Sequence, residues 1–207
     1  MSKCTGNVII TIGRSFGSGA RKIGKKVAEQ LGIPFYDKEL LEIEAKESGG
    51  AYIGLESFDE KRANGFLYSA SFNSSVGGGI PFDMIIQDIQ RKVIQSVANQ
   101  GSCVIVGRRA DKILRDKYDT LNVFISAPIE KRIARVSTRD GLSEKDSKKK
   151  ILKADKTRRA YYNAYGEGDW GEAANYHLCI DSGDLGADNS AAMILQYLKL
   201  KGKISMD

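Results

Sequence analysis

Cysteine is scarce in this chain, and its scarcity excludes several kinds of site. The three cysteines, Cys4, Cys103 and Cys179, lie far apart in the sequence. An odd number of widely spaced cysteines argues against a disulfide framework and against a zinc site. Cys103 and Cys179 lie in apolar runs, where we expect buried free thiols.

Histidine occurs only once, at His177, where it heads an apolar run. A single histidine excludes a histidine-based catalytic triad and a histidine metal cluster, so we expect a structural role for it. The sequence also lacks a signal-peptide pattern and any apolar run long enough to span a bilayer. We therefore expect a soluble, cytoplasmic protein without a membrane partner.

The length and charge of the chain favour one domain with a local basic segment. The 207 residues are 42% hydrophobic, which supports a sizeable core, and the net charge is +6. Residues 143–159 hold eight basic and three acidic residues, so most of the excess charge lies there. Such a segment suits a phosphate-rich small molecule as well as a nucleic acid.

The clearest pattern is a β-branched run at 8–12 that turns through Gly13, Gly17 and Gly19 into a helical pattern ending at Gly32. Glycines let backbone amides approach an anion, and the helix N-terminus adds its dipole, so this arrangement predicts a phosphate cradle. It departs from the Walker A pattern, because five residues separate Gly13 from Gly19, and alanine and arginine replace lysine and Ser/Thr. A glycine-rich turn without a ligand is the alternative.

Strands and helices alternate along the rest of the chain. We predict further strands at 33–37, 102–107, 121–126 and 176–181, and helices at 38–47, from 81 to about 98, from 129, at 143–165 and at 191–200. In the helix from 129 we expect Lys131, Arg132, Arg135 and Arg139 to face outwards. The alternation predicts a three-layer α/β/α fold around a parallel sheet of about five strands. Residues 48–82 are rich in glycine and aromatic residues, which is typical of a functional lid or a disordered surface segment.

Charged residues follow two of these strands, where ligands of open α/β sheets bind. Asp37 ends one strand, although it could instead cap the next helix. Arg108 ends another, where we favour an anionic ligand over an ion pair with Asp111.

Three charged residues of the basic segment lie at helical spacing. Asp155, Arg158 and Arg159 share one helix face, which is typical either of a solvated surface or of an arginine-bearing flap over a phosphoryl group. The charge is one-sided and the segment lies between glycines, which favours the flap.

Taken together, these segments resemble the cytidylate kinase-like family, a branch of the nucleoside monophosphate kinases within the P-loop fold. The resemblance is carried by IGRSFGSGAR at 12–21 with IPFYDKE at 33–39, by VIVGR at 104–108, and by DKTRRAYY at 155–162 continuing to 170–171 and 176–180. It implies a P-loop NTPase fold with a helical lid at 140–172 and a monophosphate-binding insert at 48–82. It also implies transfer of the γ-phosphoryl of ATP to a nucleoside monophosphate, CMP or dCMP first, with Mg²⁺.

The resemblance also implies roles for individual residues. It makes Arg158 and Arg159 lid arginines oriented by Asp155, and it makes Asp37 and Arg108 part of the acceptor site. The phosphate loop would comprise Gly13, Arg14, Ser15, Gly17, Ser18, Gly19, Ala20, Arg21 and Lys22. Because Ala20 stands where the family's lysine is expected, Arg14, Arg21 or Lys22 would supply the missing charge, with Arg21 also a catalytic candidate.

Two other functions remain open from the sequence. A nucleotide-binding protein that kept the fold and lost catalysis is favoured by the missing lysine, and a kinase for another small acceptor is a variant of the first hypothesis. A nucleic-acid partner is disfavoured, because the basic helix lacks interleaved aromatic residues. The 48–82 insert could pair two chains into a homo-oligomer as easily as bind substrate.

Overall fold

The computed structural model describes residues 3–37, 82–164 and 168–205, along which strands and helices alternate. The predicted helix at 38–47 and the insert at 48–82, except Phe82, lie outside these residues. The strands are β1 (Lys3–Cys4), β2 (Ile9–Arg14), β3 (Phe35–Tyr36), β4 (Cys103–Val106), β5 (Thr120–Ser126), β6 (Leu178–Asp181) and β7 (Ile204–Ser205). The α-helices are α1 (Ala20–Leu31), α2 (Phe82–Asn99), α3 (Ala110–Leu114), α4 (Ile129–Asp140), α5 (Glu144–Asn163) and α6 (Ser182–Leu200).

Five strands form one sheet in the order β3-β4-β2-β5-β6, and every neighbouring pair is parallel. This confirms the predicted five-stranded parallel sheet. Strand β2 lies at the centre, with β4 on one side and β5 on the other. The strand order reverses beside the carboxyl end of β2, which is where ligands of open α/β sheets bind.

Each face of the sheet is covered by helices, because successive side chains of a buried strand point to opposite faces. Ile10 and Ile12 of β2 pack in one apolar cluster with α1 and α6, whereas Ile9 packs in a second cluster with α2 and α3. Gly24 lets α1 lie close to the sheet, since a Cβ there would stand 2.9 Å from Cδ1 of Ile12. This packing fixes the N-terminus of α1 beside the end of β2.

Two elements at the C-terminal end differ from the prediction. Helix α6 begins at Ser182 rather than at 191, because the side chain of Asp181 caps it by accepting a 2.7 Å hydrogen bond from the amide of Gly183. A residue with φ of +70°, Gly186, interrupts the helix, which is why its first turns lack the periodicity of the rest. The antiparallel pair of β1 and β7 has two residues in each strand, too few to show a sequence pattern.

The two cysteines expected to be buried differ from each other. Cys103 is buried on β4, and burial raises the pKa of its thiol to about 11. Cys179 is exposed, so the expectation for it is wrong: it lies on β6, one of the two edge strands of the sheet. His177 has a structural contact, because its Nδ1 accepts a 3.0 Å hydrogen bond from the amide of Asn122.

None of the helices within the three described ranges is long and apolar enough to cross a membrane.

Candidate active site

The loop between β2 and α1 presents backbone amides at a helix N-terminus. Gly17 and Gly19 have φ of +79° and +84°, and Gly19 is the N-cap of α1. No side chain of the described residues caps the helix, and its first turn contains no acidic residue. Within the described ranges, no group accepts a hydrogen bond from the amides of Gly17, Gly19, Ala20 or Lys22. Amides without an acceptor at a helix N-terminus are suited to bind an anion.

The carbonyl groups of the same loop are held by two arginines of α4. Arg135 donates from Nη1 to the carbonyl of Ser18 at 2.9 Å and from Nη2 to the carbonyl of Ser182 at 2.8 Å. Arg132 donates from Nη1 to the carbonyl of Phe16 at 3.3 Å. The expectation that Arg132 and Arg135 face outwards is therefore wrong. Helix α4 follows β5, the neighbour of β2, and this topology brings its arginines to the loop.

Asp155 of α5 reaches the β2–α1 loop rather than the neighbouring arginines. Its Oδ1 accepts a 2.7 Å hydrogen bond from the amide of Phe16, and its Oδ2 lies 2.5 Å from Nη1 of Arg132. The expectation that Asp155 orients Arg158 and Arg159 is wrong, because both of its carboxylate oxygens face partners on other elements.

Arg158 and Arg159 of α5 separate, although they are adjacent in sequence. Arg158 donates from Nη1 to the carbonyl of Arg14 at 3.1 Å, and its guanidinium carbon lies 5.2 Å from the centroid of the Phe16 ring. The guanidinium carbon of Arg159 lies 5.7 Å from the centroid of the Trp170 ring. Of these two arginines, Arg158 is the one that the structure brings to the β2–α1 loop.

Arg108 follows β4 in a turn of three residues that all have positive φ. The φ angles of Gly107, Arg108 and Arg109 are +79°, +57° and +55°. Two arginines in the left-handed region are unusual, and strained backbone of this kind occurs mainly at functional sites. A Cβ at Gly107 would lie 1.9 Å from Nη1 of Arg14, so only glycine lets the Arg14 side chain cross there. The turn thus brings Arg14 next to the segment that bears Arg108.

Two predicted site residues pair with each other. Arg21, in the first turn of α1, places Nε 3.0 Å from Oδ2 of Asp37, just after β3. The Asp37 side chain is 16% exposed and the Arg21 side chain is 53% exposed, so the arginine side of the pair faces solvent. This contact joins the proposed phosphate loop to the proposed acceptor site.

Gly13 and Ser15 pack the loop against β5. A Cβ at Gly13 would lie 2.9 Å from the ring of Phe124, so glycine is needed for close packing there. Ser15 donates its amide to the carbonyl of Ile125 at 3.0 Å, which ties the loop to β5. The hydroxyl of Ser18 is buried without a partner in the described part of the chain.

The C-terminal end of α5 is anchored to α3, the helix that follows the Arg108 turn. Tyr162 is buried and donates its hydroxyl to Oδ2 of Asp111, which is also buried, at 2.6 Å. Burial raises the pKa of Asp111, and burial together with this carboxylate raises the pKa of Tyr162. The Nζ of Lys112 lies 3.9 Å from the centroid of the Tyr162 ring. These contacts connect α5 to the segment that bears Arg108.

Replacing Tyr162 with phenylalanine is expected to lower the free energy of unfolding by about 1–3 kcal/mol, because the buried Asp111 carboxylate loses its hydroxyl donor. Urea unfolding followed by circular dichroism measures this. Tyr118→Phe is the matched control, since that hydroxyl bonds Asn99 at an exposed site and its loss has a smaller effect. Equal losses in the two variants would contradict the anchoring role.

The comparison with known families decides the assignment. The sequence profile of the cytidylate kinase-like family matches residues 9–184, from β2 to the start of α6. The chain belongs to this family. The match covers every residue of the candidate site, including the loop and the two arginines Arg108 and Arg158.

Individual relatives agree with membership of the cytidylate kinase-like family. A cytidylate kinase from Pyrococcus horikoshii is 28% identical over 84% of this chain and 80% of its own length. The crystal structure of an uncharacterized protein from Eubacterium ventriosum has a TM-score of 0.70 and 34% sequence identity, and the alignment covers 93% of this chain and 98% of that chain. A shikimate kinase from Bacteroides thetaiotaomicron has a TM-score of 0.55 at 13% identity over 93% of this chain and 98% of its own, which shows the P-loop kinase fold alone. Family and fold together support phosphoryl transfer as the reaction class.

Proposed function

We propose that the protein transfers the γ-phosphoryl group of ATP to a nucleoside monophosphate, and that CMP or dCMP is the acceptor to test first. Membership of the cytidylate kinase-like family and the similarity to a curated cytidylate kinase support this choice of acceptor. The observation that carries the proposal is the set of amides of Gly17, Gly19, Ala20 and Lys22 at the N-terminus of α1, which have no acceptor in the described part of the chain. A polyphosphate fits that set, since each amide needs an acceptor and the helix dipole favours negative charge.

Two arginines near the loop fit such a reaction, one for the transferred phosphoryl group and one for the phosphate of the acceptor. Arg158 comes from the lid helix to the loop, where a fixed cation stabilises charge that develops on a transferred phosphoryl group. Arg108 follows β4, which pairs with the central strand β2. At this position it would hold the phosphate of the acceptor. Catalysis of phosphoryl transfer depends mainly on such positioning and charge, and we infer that this arrangement provides both.

Mg²⁺ would enter with the phosphates of ATP. Within the described ranges, no group of three or more histidine, cysteine, aspartate or glutamate residues is placed to hold a metal ion. Mg²⁺ in phosphoryl-transfer enzymes is usually bound by substrate phosphates, water and one or two carboxylates, so a complete protein cage is not required. When bound, the ion would neutralise part of the phosphate charge.

A second candidate is a nucleotide-binding protein of the same fold that does not transfer phosphate. Ala20 supports this candidate, because it stands at the position of the usual phosphate-binding lysine and its side chain is buried against the core. A loop without that lysine can still bind a polyphosphate through its amides. Because the fold is similar to that of a shikimate kinase, the assay below also includes an acceptor that is not a nucleotide.

A coupled assay separates these functions. The protein is incubated with ATP, Mg²⁺ and each of a panel of acceptors, namely CMP, dCMP, UMP, AMP, GMP and shikimate, and ADP release is followed. We expect turnover with at least one pyrimidine monophosphate above the rate of ATP hydrolysis alone.

Tight ATP binding without turnover of any acceptor would contradict the kinase and favour the second candidate. Turnover with shikimate alone would show that the acceptor is not a nucleoside monophosphate.

A further inference from the structure

The carboxylate of Asp155 occupies a position on the phosphate loop where a phosphate oxygen would also bind. Its Oδ1 accepts the amide hydrogen of Phe16 at 2.7 Å, next to the amide of Gly17, which has no acceptor in the described part of the chain. A carboxylate and a phosphate oxygen accept the same kind of charge-assisted hydrogen bond. Asp155 and a bound polyphosphate would therefore compete for the same side of the loop.

The same carboxylate holds a cation beside the loop. Arg132 Nη1 lies 2.5 Å from Oδ2 of Asp155, and the two side chains are only 13% and 17% exposed. The Cβ of Arg132 lies 3.3 Å from the point where a Cβ on Gly17 would stand, so this residue borders the loop directly. The pair is thus a shielded ion pair at the edge of the anion site, where screening by water is reduced.

Arg132 has hydrogen-bonding capacity that Asp155 does not use. Its Nε is buried and has no acceptor among residues 3–37, 82–164 and 168–205. A buried donor without a partner is costly, and an incoming anion with several oxygens would satisfy it. The loop itself lacks the usual lysine, because Ala20 takes its place, and Arg132 of α4 is a further cation beside the loop in addition to Arg14, Arg21 and Lys22.

We propose that Asp155 is an internal anion that holds the phosphate loop and Arg132 in the absence of nucleotide, and that a polyphosphate displaces it and takes over both groups. Arg132 then supplies charge that the missing lysine does not. Because α5 carries both Asp155 and Arg158, displacement of the carboxylate changes the position of the lid helix as nucleotide binds. This inference rests on the proposed function, since it takes a nucleoside triphosphate as the displacing ligand.

Isothermal titration calorimetry with inorganic tripolyphosphate and with ATP tests the competition. Asp155→Asn keeps the size of the side chain and removes its charge. We expect it to bind both ligands about tenfold more tightly than the wild type, since one charge-assisted contact no longer has to be broken. Asp188→Asn is the matched control, because it removes one equal charge from an exposed ion pair with Lys26, and we expect its affinities to stay within about twofold of the wild type, as for an exposed ion pair.

A double variant tests whether Arg132 exchanges Asp155 for the polyphosphate as its binding partner. If Arg132 binds the displacing anion, Asp155→Asn combined with Arg132→Gln loses the gain in affinity that Asp155→Asn shows alone. If Arg132 only holds Asp155, the double variant binds as tightly as Asp155→Asn, which would overturn that part of the proposal. Circular dichroism melts of each variant confirm that the measured protein is folded.

The outcomes also separate this inference from the proposed function. Unchanged or weaker binding by folded Asp155→Asn would overturn the inference, even if the wild type phosphorylates a nucleoside monophosphate. Tighter binding of tripolyphosphate by Asp155→Asn would support the competition on the loop, even if no acceptor is phosphorylated.

Discussion

Replacing Arg158 with alanine is expected to lower kcat by about 100- to 1000-fold, while the Kd for ATP changes by less than about tenfold. The guanidinium of Arg158 lies on the loop, bonded to the carbonyl of Arg14 and stacked near the Phe16 ring. A cation at this position interacts most strongly with charge that develops during transfer, so its loss affects the transition state more than the ground state. Steady-state kinetics with ATP and the preferred acceptor, together with calorimetry, give the two numbers.

Lys156→Ala is the matched control for Arg158→Ala. Lys156 is an exposed cation on the same helix, so its removal changes the charge of α5 without removing a contact to the loop. We expect kcat to stay within about twofold of the wild type, as for an ordinary surface substitution. Parallel losses of kcat and of ATP affinity in Arg158→Ala would show that Arg158 only binds the nucleotide, and would contradict its catalytic role.

Replacing Gly17 with alanine is expected to weaken polyphosphate binding by at least about tenfold and to destabilise the fold by about 1–2 kcal/mol. The φ of Gly17 is +79°, which costs an alanine free energy. Its Cβ would also lie 3.0 Å from Cγ2 of Val136 and 3.3 Å from the carbonyl oxygen of Arg132, both on α4. Because backbone and a packed side chain cannot yield easily, the loop must shift, and its amides then point in different directions.

Gly32→Ala separates the backbone cost from the site effect. Gly32 has a similar φ of +65°, but a Cβ there would have nothing within 4 Å, and it lies at the other end of α1. We expect Gly32→Ala to lose stability to a similar degree and to bind tripolyphosphate like the wild type. If both variants bind alike, the conformation of the loop at Gly17 is not what recognises the anion.

The parts of the fold that were predictable depend on local patterns. The β-branched run of β2 and the helical spacing of Ile23, Val27 and Leu31 in α1 both reflect burial against one core, and the structure confirms both elements. The alternation of strands and helices then predicts the parallel sheet, since each strand needs cover on both faces. Helix α6 was predicted too short because Asp181 caps it through a side-chain contact that leaves no periodic signal.

The contacts within the candidate site were less predictable, because they join residues far apart in sequence. Asp155 meets Phe16 across 139 positions and Arg132 across 23, so its spacing from Arg158 and Arg159 on α5 suggested the wrong partners. The charge of Arg135 predicts an outward-facing side chain, whereas the structure places it against the carbonyl of Ser18. The carbonyls of the loop, which accept its hydrogen bonds, leave no signal in the sequence. One feature of the sequence indicates this contact: Arg135 lies on the helix that follows β5, the strand next to β2, and such a helix lies near the β2–α1 loop.

A crystal structure of the protein with a non-hydrolysable ATP analogue and CMP tests the central claim most directly. The account predicts a phosphate group within hydrogen-bonding distance of the amides of Gly17, Gly19 and Ala20, with the Asp155 carboxylate moved away from the amide of Phe16. An analogue bound elsewhere, with these amides still unpaired and Asp155 still on Phe16, would contradict the assignment of the β2–α1 loop as the phosphate site.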